Sequence, residues 1–230
     1  MPTLLVLGVG PGLGLSIAHR FGREGYTAAL VSRTDTRHAT YRETLAEAGV
    51  AARSHVADVR DRDRLLSTLD TIGPVDVVYY GAGAADIVDR PKTITETTSA
   101  DVERAMTGIY PAVDVVSRVL PHLVAQGSGG LLFAGGLSAV QPMPTLGAYA
   151  VSSAALRNYA VTLHAALAGT GVYAGTLTIG GLIARGDIHK LVAGEMGDDV
   201  PTLDPDDIAE TAWRLYTERD RAEAVVSALG

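Results

Sequence analysis

Cysteine is absent from the 230 residues. Without thiols there is no disulfide framework, no thiolate-ligated zinc or iron–sulfur centre and no cysteine nucleophile. Lysine is nearly absent as well, occurring at Lys92 and Lys190 alone among 19 basic residues. No apolar run approaches the roughly 18 residues that would span a bilayer. Acidic residues outnumber basic ones, 26 to 19, and no basic block stands out. That balance argues against nucleic acid or an anionic membrane as partner. The six histidines (His19, His38, His55, His122, His164 and His189) lack metal-ligand spacing, so no metal is expected. The opening Met1–Gly8 has none of the marks of a secretory signal, and a soluble, cytoplasmic protein is expected.

What is plentiful is glycine, 26 of 230 residues, above the roughly 7% average. No collagen period or low-complexity tract accounts for the excess, so these glycines should sit where the backbone needs them. Short apolar runs alternate with helical patterns along most of the chain. Strands are expected at Thr3–Leu7, Thr27–Ser32, Val50–Val56, Val75–Tyr79, Gly130–Ala134, Val172–Thr178 and, last, Ala222–Val226. Their continuous rather than alternating apolarity suits parallel strands covered on both faces. Helices are expected at about 13–24, 36–48, 61–71, 99–125 and 146–168, with a capped helix opening at Asp204. This rhythm predicts an α/β fold, a three-layer doubly wound parallel sheet in a single domain over residues 1–230. The segment 182–203 breaks the rhythm and is expected to form a lid or substrate loop beyond the carboxyl ends of the strands.

The first strand runs into Gly8-Val-Gly10-Pro-Gly12-Leu13-Gly14, followed by an amphipathic helix. Glycine suits a tight turn and a close backbone approach to a pyrophosphate, and the helix N-terminus offers free N–H groups to the anion. Strand before and helix after favour a nucleotide-binding turn over the alternative of a purely structural one. The spacing Gly8-x-x-x-Gly12-x-Gly14 resembles the short-chain dehydrogenase/reductase (SDR) family, and the likeness extends over essentially the whole chain. It implies a Rossmann-like fold, a nicotinamide dinucleotide cofactor and a homodimer or homotetramer.

At the tip of the second strand a carboxylate would chelate the ribose hydroxyls of NAD, but Ser32 and Arg33 stand there, which suits a 2′-phosphate and predicts NADP(H). A surface arginine on a turn is the plainer alternative. Asp58 and Val59 resemble the family's Asp-Val pair, implying that Asp58 contacts adenine. Gly81, Ala82 and Gly83 keep the small profile that lets the backbone pass a cofactor, whereas Tyr80 replaces an asparagine that usually braces the central strands.

The resemblance implies a catalytic tyrosine, a lysine four residues later that depresses the tyrosine pKa, a serine thirteen residues before it and an asparagine in an earlier helix. A neighbouring cation is needed because a phenol titrates near 10 unaided. Tyr149 matches the tyrosine. Ser153 holds the lysine position, where it offers a hydroxyl to the ribose but no charge, Gly136 the serine position and Ala105 the asparagine position. Ser138 would need a local shift to replace the missing serine. Arg157, eight helical residues on, lies about 12 Å along the axis, and Lys190 would have to reach in from the lid. Gly180 follows Ile179 where the family has Pro-Gly, and Ala184 takes the place of a common cofactor-binding threonine.

Three functions fit these residues. The first is an NADP-dependent oxidoreductase acting on a small-molecule carbonyl or alcohol, with Tyr149 as acid–base group in an altered site. The second is a redox-silent dinucleotide-binding sensor or partner protein. The third is a non-redox isomerase or dehydratase on the same scaffold.

Overall fold

Seven parallel strands form the central sheet in the order β3-β2-β1-β4-β5-β6-β9. They are β1 (Thr3–Leu7), β2 (Thr27–Ser32), β3 (Ala52–Val56), β4 (Val77–Tyr80), β5 (Gly129–Gly136), β6 (Val172–Gly180) and β9 (Glu223–Ser227). The structure, a computed structural model, describes residues 1–82, 91–196 and 200–229. Helices α1 (Leu13–Gly22), α2 (His38–Glu47) and α8 (Pro205–Glu218) cover one face. Helices α3 (Arg62–Ile72), α5 (Tyr110–Gln126) and α6 (Ala148–Ala166) cover the other, with α4 (Ser99–Met106) packed on α6.

The two-residue period of a strand divides each apolar run between these layers. Leu4 and Val6 of β1 join the core under α1 and α8, while Leu5 and Leu7 join the core under α3 and α5. Ala28 and Leu30 pair against Ala29 and Val31 in the same way in β2. A strand buried on both faces has no polar side, which is why its sequence shows no alternation.

Local signals set the helix starts. The Asp61 carboxylate accepts the Arg64 N–H at 3.0 Å ahead of α3. Thr98 and Asp101 close a reciprocal capping box on α4. Asp204 accepts the Asp206 N–H at 2.9 Å, with Pro205 as the first residue of α8.

Two segments differ from the sequence expectation. The helix expected over 99–125 is two helices, α4 and α5, because Pro111 has no N–H to continue the ladder. At the break the Ala112 N–H turns to the Ile109 carbonyl, 3.0 Å, and the Tyr80 hydroxyl donates to the Gly108 carbonyl at 2.6 Å. Tyr80 thereby ties the end of β4 to the break. The second segment, 182–203, is more regular than the long loop expected from its glycines. Strands β7 (Leu182–Ile183) and β8 (Thr202–Leu203) pair in parallel and flank α7 (Asp187–Met196). Among the described residues no helix is long and apolar enough to cross a membrane.

Candidate functional site

The chain order reverses beside β1, which has β2 on one side and β4 on the other. A crevice opens at the carboxyl ends of the strands at such a point. Here it is a cleft of about 840 Å³, walled by Gly8 and Gly10 after β1, Ser32, Arg33 and Arg37 after β2, Asp58, Val59 and Arg60 after β3, and Gly81 and Ala82 after β4. Its far end is walled by Lys92, Asp101, Arg104, Ala105, Ala148 and Tyr149.

The glycine turn is a steric necessity. Gly8 has φ +87°, and a Cβ there would lie 2.8 Å from the Ala82 backbone. The Gly8 and Val9 N–H groups both donate to the Val31 carbonyl, at 3.0 and 3.1 Å, locking the turn to β2. A Cβ on Gly14 would lie 2.9 Å from the Gly8 carbonyl and from Val9 Cα. Gly10 differs, since a Cβ there would meet nothing within 4 Å. Gly12 is the N-cap of α1 and supplies no side-chain cap, so the first-turn N–H groups are not spent on a side chain. Gly12, Leu13 and Gly14 do not line the cleft, and a Cβ on Gly12 would stand 3.1 Å from the Ala184 carbonyl.

The β2–β3 end is rich in arginine. The Ser32 hydroxyl donates to the Thr34 carbonyl at 2.9 Å and lies 2.7 Å from Nε2 of the buried His38, which steadies the turn carrying Arg33. Burial holds the His38 pKa below its ordinary value of 6.5. Arg60 binds the Asp58 carboxylate through its backbone N–H and its guanidinium, at 2.6 to 3.0 Å, and keeps that carboxyl below the usual range. Arg37 donates to Asp187 of α7 at 2.7 Å across the cleft mouth. Sequence reading did not single out Arg37 or Asp187. Arg37 lies four residues after Arg33, a readable signal, whereas its partner is 150 residues away and gives none.

At the Tyr149 end, α6 begins after Gly147, where a Cβ would run into the Lys92 carbonyl and the Thr97 hydroxyl. Ala105 lies on the same wall as Tyr149, as the resemblance implies for the asparagine position. A Cβ built on Gly136 would stand 3.5 Å from both the Ser138 and Ser153 hydroxyls, so two hydroxyls flank the place of the missing serine. Ser153 and Gly180 do not line the cleft. Gly180 packs instead on Ser227 and Leu137, and Gly83 falls outside the described residues. Arg157 is committed to Glu223 at 2.6 and 2.8 Å, facing away from the site. Lys190 does not line the cleft, whereas Lys92 does. The Lys92 ammonium is held by Asp101 at 2.8 and 3.0 Å, and that pairing, with Thr98, drives the Asp101 carboxyl far below the usual carboxylate range. Nothing in the sequence around Lys92 announces this position.

Residues 2–186 match the family described as short chain dehydrogenase. The ketoacyl reductase HetN of Nostoc is 27% identical over 232 residues, covering 99% of this chain and 75% of that protein. A short chain dehydrogenase of Pseudocercospora fijiensis is 28% identical over 185 residues, but this chain covers 77% of itself and only 59% of that protein in the match. Among solved structures, a 3-oxoacyl (acyl-carrier-protein) reductase from Agrobacterium tumefaciens with NADP bound superposes with a TM-score of 0.84 at 22% identity, over 99% of this chain and 93% of that one. A gluconate 5-dehydrogenase from Burkholderia cenocepacia, in complex with NADP and tartrate, superposes at 0.83 and 19% identity, over 99% and 94%.

Proposed function

Because the chain belongs to the short chain dehydrogenase family, we propose that it is an oxidoreductase that binds NADP(H) in the cleft and acts on a small-molecule carbonyl or alcohol, with Tyr149 as its acid–base group. The observation that carries this reading is the continuity of one cleft from the arginines after β2, past Gly10, to Tyr149. The residues suit a dinucleotide. Gly10 leaves open space at the wall, and no side chain caps the first turn of α1, although its Leu15 N–H is taken by the Gly10 carbonyl at 3.2 Å. Arg33 and Arg37 give a 2′-phosphate two guanidinium groups to meet. Two similar structures hold NADP. Bound in this way, the nicotinamide supplies or accepts the hydride.

The chain's own residues handle the proton and the alignment. The Tyr149 hydroxyl gives its proton to the substrate oxygen, whereas Ser138, whose hydroxyl flanks Gly136 but does not line the cleft, has to shift toward that oxygen to assist. Ser153 offers a hydroxyl where the family carries a cation. The cations on the wall near Tyr149, Lys92 and Arg104, both face Asp101. A phenol is a good proton donor at neutral pH and a poor base without a cation to ionise it.

The test titrates NADPH and NADH against the protein and then follows NADPH consumption across a panel of aldehydes and ketones. Preferential NADPH binding, a loss of more than tenfold in NADPH affinity on Arg33→Ala with NADH little changed, and NADPH-dependent turnover of a carbonyl support the proposal. Equal losses for both cofactors would remove the NADP assignment. Tight NADPH binding with no turnover anywhere on the panel would favour the redox-silent reading, which Ser153, Gly136 and Ala105 support. The same reading includes a homodimer or homotetramer built on α5 and α6, which expose Tyr110, Val113, Val124 and Val151. Sedimentation of the full chain decides that part.

A further inference from the structure

The Arg37–Asp187 pair joins the turn after β2 to the start of α7 at the cleft mouth. Arg37 is the N-cap of α2, at the end of the turn that carries Ser32 and Arg33. Asp187 is the first residue of α7, and both side chains line the cleft. The segment leading into α7 is fixed on its other side, where Arg185 binds Asp204 and Asp206 at 3.1 and 2.8 Å. The Arg37 guanidinium thus reaches a carboxylate supplied by the lid, at the same end of the cleft where a 2′-phosphate would need it.

Resting on the NADP(H) reading, we infer that Asp187 is a specificity-setting residue, a carboxylate within the chain that competes with the cofactor's 2′-phosphate for the Arg37 guanidinium. The two anions draw on the same guanidinium: Asp187 holds its Nη1 through one bond at 2.7 Å and offsets its charge, so an incoming phosphate meets a weakened donor. Both partners are about half exposed, at 49% and 58% of their side-chain surface, so the pair is weak enough to exchange. A ligand bearing the phosphate draws Arg37 away from Asp187 and so loosens the start of α7. A ligand lacking it leaves the pair closed. Lid position and phosphate recognition are then two readings of one equilibrium, and each shifts the other by the same factor.

Calorimetric titration of the full chain with 2′,5′-ADP and with 5′-AMP tests this without turnover. Asp187→Asn should tighten 2′,5′-ADP two- to fivefold, the range an exposed ion pair commands, and leave 5′-AMP unchanged. Arg37→Met should weaken 2′,5′-ADP about tenfold and leave 5′-AMP unchanged, and in that background Asp187→Asn should bring no gain, since the competed donor is gone. If Asp187→Asn leaves 2′,5′-ADP affinity unaltered, weakens it, or tightens both nucleotides equally, the inference is overturned while wild-type preference for 2′,5′-ADP still upholds the NADP reading. If the wild-type chain binds the two nucleotides equally, or binds neither, the cofactor reading falls and the inference with it.

Discussion

The glycine-turn stretch of the cleft is made of backbone, whereas the Tyr149 end depends on side chains. At the glycine turn the requirement is spatial: Gly8 and Gly14 leave no room for a Cβ because Gly81 and Ala82 after β4 and the turn itself already fill it. A substitution there damages the fold before it damages binding. At the other end, Ser153, Gly136 and Ala105 stand where the family carries lysine, serine and asparagine, and the fold accommodates them without strain. Among the described residues no buried side-chain polar atom lacks a partner. The fold enforces a site built from its own turns and is indifferent to side chains that serve chemistry alone.

The largest effect that would break this contrast is expected at Tyr149. Tyr149→Phe removes the proton donor and keeps the ring, so kcat/KM for carbonyl reduction should fall by about 10²–10⁴, the usual contribution of a positioned acid, while NADPH affinity stays within twofold. Unchanged turnover would mean that the catalytic end does not use its remaining family residue. At the opposite end the loss should be structural. Gly8→Ala forces a non-glycine residue to φ +87° against the Ala82 backbone, and the two penalties together should cost roughly 3 kcal/mol, read from the denaturant midpoint. Gly10→Ala is the matching control. It should leave the midpoint within ~0.5 kcal/mol and instead weaken NADPH binding, because its added methyl meets open cleft.

Ser153→Lys sharpens the comparison from the chemical side by restoring a cation one helical turn from Tyr149. Lowering a phenol's pKa by one unit is about tenfold in the ionised fraction at neutral pH. Alcohol oxidation at pH 7 should therefore gain about tenfold, and the pH optimum for oxidation should move down. A lysine that left the oxidation profile unmoved would show that position 153 no longer addresses the tyrosine hydroxyl.

Most of the architecture was legible because it rests on local, repeated signals. Apolar runs such as Leu4–Leu7 mark doubly buried strands, and the glycine turn marks the crevice. The helix break at 107–109 was missed because the apolar pattern runs through it. Pro111 was the available sign, but the tie from Tyr80 to Gly108 is a tertiary contact. The helix α7 was hidden by the glycines that flank it, Gly186 and Gly197, which read as loop. The family positions of the site could be counted along the chain. The pairs Arg37–Asp187 and Lys92–Asp101 could not, because their partners meet only in the fold.

The smallest effect concerns pH, and it separates the two ends by their histidines. His38 braces the Ser32 turn, and its pKa is held below 6.5 mainly by burial and also by Arg42 and His55, with Asp35 opposing. His55 on β3 and His19 on α1 are lowered mainly by burial too. A histidine whose folded pKa lies below its unfolded value favours the neutral form. Its stabilisation is complete above 6.5 and is lost as pH falls through the depressed folded value, because the unfolded chain binds the proton first. All three sit on β3, α1 and α2, at the glycine-turn side of the sheet, and the described residues around Tyr149 include no histidine with a lowered pKa. The urea midpoint should therefore hold constant from pH 8 to about 6.5 and decline below it, with NADPH affinity declining in parallel as the Ser32 turn loosens. His38→Gln keeps a hydrogen-bonding group without the titration and should flatten part of both slopes. If it flattens the stability curve but leaves the NADPH curve as steep as before, His38 supports the fold of β2 and α2 without positioning the cofactor end.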